Sequence, residues 1–168
     1  MTPLEVAAAD ARWILPVRPL YAGLIRSGRK NCELRSYSAG IAAGDWVLLY
    51  SRAPVSAITA AIRIGAVEQH CPDRLWTDPG PHRLGVTATA WQRAFASVPT
   101  IWLHTIASVV ELPRIGRAEL TDRWPGWRPL QRVQRRSPAA WLEPVPVRPA
   151  PTRDVQLLLA ITFAHPSM

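Results

Sequence analysis

Apolar and polar positions alternate over two long stretches of this chain. In AITAAIRIGAVEQH, residues 57–70, Ile58, Ala60, Ile62, Ile64 and Ala66 fall on one side of an extended segment. In TIWLHTIASVVEL, residues 100–112, Ile101, Leu103, Thr105, Ala107 and Val109 do the same. Period-two alternation is what a half-buried strand requires, so each stretch predicts a long strand. Residues 46–50 of GDWVLLYSR are apolar without interruption, which predicts a strand buried on both faces. WILPVRP predicts a short strand broken by Pro16 and Pro19.

The period changes after that. Leu20, Tyr21, Leu24 and Ile25 form a helical stripe over 20–27. Pro19 suits the first helical position, where its missing N–H costs nothing, and Gly28 suits the position just past the end. Shorter helical patches fall at CPDRLW, at 89–96 and at RAELTDRW. The sum is an α+β fold, a small barrel of about 5–6 strands flanked by short helices.

Composition narrows the class. A chain of 168 residues, 48% of them apolar, suits one globular domain with a tail. Proline crowds residues 137–151, so 137–168 is expected to be an extended tail and 1–12 a leader of little information. The run VQLLLAITF is far shorter than the roughly 20 residues a membrane helix needs, and no signal peptide is legible. Two cysteines, Cys32 and Cys71, form neither a disulfide framework nor a metal pair, which fits a reduced, cytoplasmic setting. No phosphate-cradling, dinucleotide or nucleophile-elbow motif occurs, so no cofactor and no metal are expected. His104 has no second ligand at metal spacing, and His70 and Cys71 lack anything to orient them as a pair.

Charge changes the picture more. The net charge is +8 and the isoelectric point about 10.9, which favours anionic partners. Of 20 basic residues only Lys30 is lysine. It stands in SGRKNCELR, just past the expected helix end, with Glu33 and Arg35 two apart on one face of the next extended segment. A lysine can clamp a phosphate or carbonyl oxygen, or lose its proton and act as a base, which arginine cannot. Arginine replacement is thus expected to spare a simple charge and to abolish a proton-shedding or tightly fitted one. An exposed ion pair worth ~0–1 kcal/mol is the plain alternative. Eight tryptophans offer stacking surfaces. Trp76, Trp124 and Trp127, in turn-rich segments with arginine nearby, are stacking candidates, and Arg128 and Arg132 backbone-contact candidates, while Trp46, Trp91 and Trp102 sit in core patterns.

Here the stretch resembles the G-x-K-x-x-E-x-R signature of ASCH domains, members of the PUA-like superfamily, with Gly28, Lys30, Glu33 and Arg35 in the fixed places. LPVRPLYAGLIRSGRK is similar to the family's strand and helix leading into the signature. AAGDWVLLYSRAPVSAITAAIRIGAVEQ is similar to its Gly-Asp strand, Ser/Pro turn and central strand. PLQRV resembles a Pro-Pro-Gln element loosely, lacking the second proline. The resemblance spans residues 13–136. It implies a PUA-like β-barrel with a cleft beside the first helix, lined by Lys30, Glu33 and Arg35. Tyr50 and Ser51 are candidates for the cleft edge, with plain strand-end packing as the alternative.

Relatives are regarded as RNA-binding or nucleotide-handling proteins; some cut single-stranded RNA. A small relative that deacylates a modified cytidine has threonine where Glu33 stands, a departure that weighs against that activity here. The reading is a protein that binds RNA, a nucleotide or a modified nucleoside, with RNA suiting the fold better than duplex DNA. The alternative is a metal-independent ribonuclease or acylated-nucleoside amidohydrolase, in which Lys30 and Glu33 are catalytic. A protein-interaction role for the proline-rich tail is the third reading.

Overall fold

Strands form where the alternation places them, and a single sheet collects them. The computed structural model describes residues 10–124, 126–129 and 132–135. Among these, the strands are β1 (Trp13–Val17), β2 (Cys32–Arg35), β3 (Trp46–Ser51), β4 (Ala57–His70), β5 (Ile101–Gly116) and β6 (Gln134–Arg135). Helices α1 (Pro19–Arg26), α2 (Pro72–Thr77), α3 (Ala88–Phe95) and α4 (Arg117–Arg123) lie between them. The leader up to residue 9 and the tail at 137–168 lie outside the described residues. No helix among the described residues is long and apolar enough to cross a membrane.

The sheet order is β2-β5-β4-β3-β1-β6, with β1 and β3 parallel and the other neighbours antiparallel. The α+β class is as the sequence predicts. The closed barrel is not: β2 and β6 are opposite edges, and no ladder joins them among the described residues. Edge strands of four and two residues offer too few backbone groups to close a ring, while β4 and β5 reach 14 and 16 residues.

The continuous run in β3 feeds both faces of the sheet. Leu48 and Tyr50 pack with Ile14, Ile58, Ala61, Leu120 and Trp127 on one side. Val47 and Leu49 pack on the other with Leu15, Val17, Ile62 and Ile64, under Ala22 and Ile25 of α1. A third cluster joins Cys32 and Leu34 of β2 to Ile101 and Leu103 of β5, under Trp91 and Phe95 of α3.

The expected single face of β4 is split. Register shifts fall between Ile58 and Ala60, between Arg63 and Ile64, and between Ile64 and Val67. An extra residue in one strand sends the following side chains to the opposite face. Ile58 therefore packs with Ala61, while Ala60, Ile62 and Ile64 face α1. In β5, Ala107 is exposed and Thr105 turns its hydroxyl to the backbone N–H of Ala66 at 2.7 Å.

The Gly44-Asp45 turn has a structural task. Gly44 takes φ +87°, which a Cβ would resist, and Asp45 accepts hydrogen bonds from Trp13 Nε1 at 2.9 Å and the Ala42 N–H at 2.8 Å. This ties β1 to the start of β3 and fixes where α1 begins.

Candidate functional site

The helix end sets the position of Lys30. Ser27 caps α1, Gly28 takes φ +71°, and the Lys30 N–H returns to the Leu24 carbonyl at 2.9 Å. The chain thereby leaves the helix in one tight turn and enters β2 with the Lys30 side chain pointing inward.

Lys30 is only 2% exposed. Its Nζ donates to the Leu84 carbonyl oxygen and lies 5.6 Å from the centre of the Tyr21 ring, within reach of the ring's negative face. The segment carrying Leu84 is stitched along the start of β2. Asn31 donates to the Pro81 carbonyl at 3.2 Å and accepts the Arg83 N–H at 2.6 Å. Gly85, at φ +64°, lies flat against the lysine stem: a Cβ there would meet Cβ, Cγ and Cδ of Lys30 at 3.1–3.2 Å.

Glu33 and Arg35 project from the same face of β2 and form an ion pair, 3.0 Å between Nη2 and Oε1, with side chains 9% and 14% exposed. Arg35 Nη2 also donates to the Pro16 carbonyl at 2.8 Å, which anchors β2 to β1. The carboxylate thus serves Arg35; Lys30 makes no ion pair among the described residues.

His104 sits opposite Glu33 in the β2–β5 register, buried, with Nδ1 lacking a partner among the described residues. Burial lowers its pKa, against the opposing pull of the Glu33 charge and of hydrogen bonds to the backbone of Glu33 and Trp102. Burial likewise pushes the Cys32 thiol up to about 11, against the pull of Lys30, so this cysteine is an inert core residue.

A cavity of about 480 Å³ opens between α1, β2 and α3. Arg18, Lys30, Glu33 and Arg93 line it, with Tyr21, Thr87 and Thr89 adding hydroxyls and Leu34, Ala90 and Phe95 an apolar wall. Its volume suits a small organic ligand. Three cations face one carboxylate, and that carboxylate is already paired, so the cavity is electropositive.

Sequence reasoning found Lys30 and Glu33 of this set. It missed Arg18 and Arg93, each lone among residues of other kinds. The helix that brings Arg93 to the cavity was legible as a patch at 89–96, and its N-cap Thr87 accepts the Ala90 N–H at 3.2 Å, but nothing in that pattern marks Arg93 itself.

The other expected site residues lie elsewhere. Arg35 does not line the cavity. Tyr50 is fully buried beneath a second cavity, and Ser51 is buried at the strand end; neither hydroxyl has a partner among the described residues. Trp127 is 5% exposed, meets Tyr50 edge-on at 5.6 Å and stacks with Trp124 at 5.5 Å. Trp127 belongs to the core cluster beneath α4 and is no open platform for bases, while half-buried Trp124 packs against that cluster. Their mixture of apolar and turn residues concealed that packing. Arg128 and Arg132 are exposed and line neither cavity. No group of three or more metal-ligating side chains is found among the described residues.

No protein-family model matches the chain, and no curated protein matches it. Solved structures do. The crystal structure of ASCH from Zymomonas mobilis superposes with a TM-score of 0.68 at 17% identity, covering 91% of this chain and 96% of that one. A Ser→Ala variant of that protein gives 0.68 at 17%, over 90% and 96%. A Tyr→Phe variant gives 0.67 at 17%, over 89% and 96%. The chain has the fold of an ASCH domain.

Proposed function

We propose that this ASCH-fold protein binds single-stranded RNA by one nucleotide held in the cavity between α1, β2 and α3. One observation carries the reading. Arg18, Lys30 and Arg93 line a cavity whose carboxylate, Glu33, is already engaged by Arg35. An anion entering it meets net positive charge, the one lining carboxylate being offset by its own partner. Phosphate goes to Arg18 and Arg93 at the rim, where guanidinium groups bind it bidentately. A base slides toward Phe95, Leu34 and Ala90, with Lys30 and the Thr87 and Thr89 hydroxyls able to meet its polar edge. An unpaired base can be splayed into such a space, whereas a base inside a duplex cannot.

The test is equilibrium binding of a fluorescent single-stranded RNA. Arg18→Ala and Arg93→Ala are each expected to weaken binding about 10-fold, the loss typical of a charge-assisted contact. Affinity unchanged by both substitutions overturns the proposal.

The buried Lys30 amine supports a second reading, hydrolysis of RNA or of an acylated nucleoside. Already a donor to one carbonyl oxygen, it is placed to stabilise an oxyanion that develops in the cavity. Glu33 suits a base role poorly, because proton uptake would break its pair with Arg35. The same RNA, run on a gel after incubation, tests this. Fragments made by the protein and absent with Lys30→Met favour hydrolysis; intact RNA throughout rejects a ribonuclease.

A further inference from the structure

Lys30 and Glu33 both line the cavity between α1, β2 and α3, and both are buried, at 2% and 7% exposed. Glu33 stands within β2 and Lys30 on the turn that leads into it, so the backbone fixes one relative to the other.

Their hydrogen-bonding characters are opposite and cannot be exchanged. An ammonium group only donates, and an ionised carboxylate only accepts. One N–H of Lys30 goes to the Leu84 carbonyl oxygen, which leaves two for a ligand. Glu33 meets Arg35 through Oε1, and a carboxylate has about four lone-pair sites, so acceptor capacity remains. The Tyr21, Thr87 and Thr89 hydroxyls donate or accept as the ligand requires and discriminate little.

A base seated here must therefore offer an oxygen to Lys30 and N–H groups to Glu33. A base without those N–H groups strips water from a charged carboxylate and returns nothing, which is the costliest kind of unmade hydrogen bond. The four bases differ on this point. Adenine has no oxygen. Uracil has a single ring N–H between two carbonyl oxygens, so a second oxygen faces the carboxylate. Cytosine has its amino group at one end, followed by two acceptors. Guanine has O6 followed by N1–H and N2–H, one acceptor and then two adjacent donors.

We infer that this cavity selects guanine, with O6 on Lys30 and the N1–H and N2–H groups on the Glu33 carboxylate. This rests on the reading of the cavity as the site of one nucleotide and names the base it takes. Glu33 is then a specificity residue, and its ion pair with Arg35 fixes where the carboxylate stands.

The experiment is equilibrium binding of fluorescent seven-nucleotide RNAs, uridine throughout except at the centre. Guanosine, inosine, adenosine, cytidine or uridine stands there. The guanosine RNA is expected to bind about 10-fold tighter than the adenosine, cytidine and uridine RNAs, a discrimination typical of a bidentate base contact. Inosine keeps O6 and N1–H but lacks the amino group, so its RNA should fall between those of guanosine and uridine. That arm needs no substitution in the protein and reads the contact in the natural fold. Glu33→Gln replaces an acceptor oxygen by an NH2 donor and should erase the guanine preference. Equal affinity for all five RNAs overturns guanine selection and leaves the nucleotide site standing. So does tightest binding of another base, inosine binding as tightly as guanosine, or a guanine preference that survives Glu33→Gln. Failure of every RNA to bind overturns the nucleotide site itself and the selection with it.

Discussion

The lone lysine is explained by its seat. Lys30 is enclosed by the Leu84 carbonyl, the Tyr21 ring and the backbone of Gly85, with almost no exposed surface. A compact ammonium fits there and can be satisfied by a carbonyl and a ring face. A planar guanidinium is larger and brings five N–H donors, for which the enclosure offers no matching set of acceptors. Lys30→Arg is therefore expected to lose RNA binding about as fully as Lys30→Ala, so intolerance of arginine is no sign of catalysis. Gly85→Ala should have a related effect through a different atom. It forces a Cβ against the lysine stem at a left-handed backbone position, which costs about 1–2 kcal/mol. A lower melting temperature together with weaker RNA binding is the expected outcome; wild-type behaviour in both would refute the seat.

His104 gives a pH signature at the same scale. Its folded-state pKa is lowered chiefly by burial, with Glu33 raising it and Arg35 lowering it across the strand pair. Below the ordinary imidazole value of 6.5 the unfolded chain takes up a proton that the folded site refuses. Stability is therefore full above 6.5 and falls as the pH drops below it. Thermal melts across this range should show the fall, and His104→Gln should flatten it.

Elements decided which expectations held. The strands other than the two-residue β6, which lies in a stretch that reads as turn, the Pro19 helix start and the Gly28 stop were legible because each follows from local chemistry: an apolar pattern, a missing N–H, a positive φ. The faces of β4 were not, since a bulge depends on the partner strand and leaves no mark in the strand's own alternation. The Glu33–Arg35 pair was legible as two residues on one face. The assembly of Arg18 and Arg93 around Lys30 was not, because three separate elements bring them together. Trp127 illustrates the same limit. Beside Gly126 and Arg128 it reads as a surface aromatic, yet it closes the core between Tyr50 and Leu120. Trp127→Ala should cost ~3–5 kcal/mol in denaturant unfolding, the usual range for a buried tryptophan. A cost near zero, with RNA affinity lost instead, would restore the stacking role.

At the scale of the whole molecule, one open sheet carries α1 on one face and α3 beside its β2 edge, and the candidate site lies where these meet. The sheet supplies the rigid part, β2 and its Glu33–Arg35 brace. The Asn31-stitched loop supplies the cover over Lys30. The overall charge of +8 draws polyanions without choosing among them, and the cavity imposes the choice.

The salt dependence of single-stranded RNA binding tests this account most directly, measured for the natural chain and for Arg93→Ala. Each phosphate contact releases counterions, so log affinity should fall linearly with log salt. The slope should become shallower by roughly 0.7 when one contact is removed. A steep slope in the natural protein, reduced by about that amount in the variant, is the predicted result. An identical slope in both would mean that the arginine-lined cavity is not where the RNA is held.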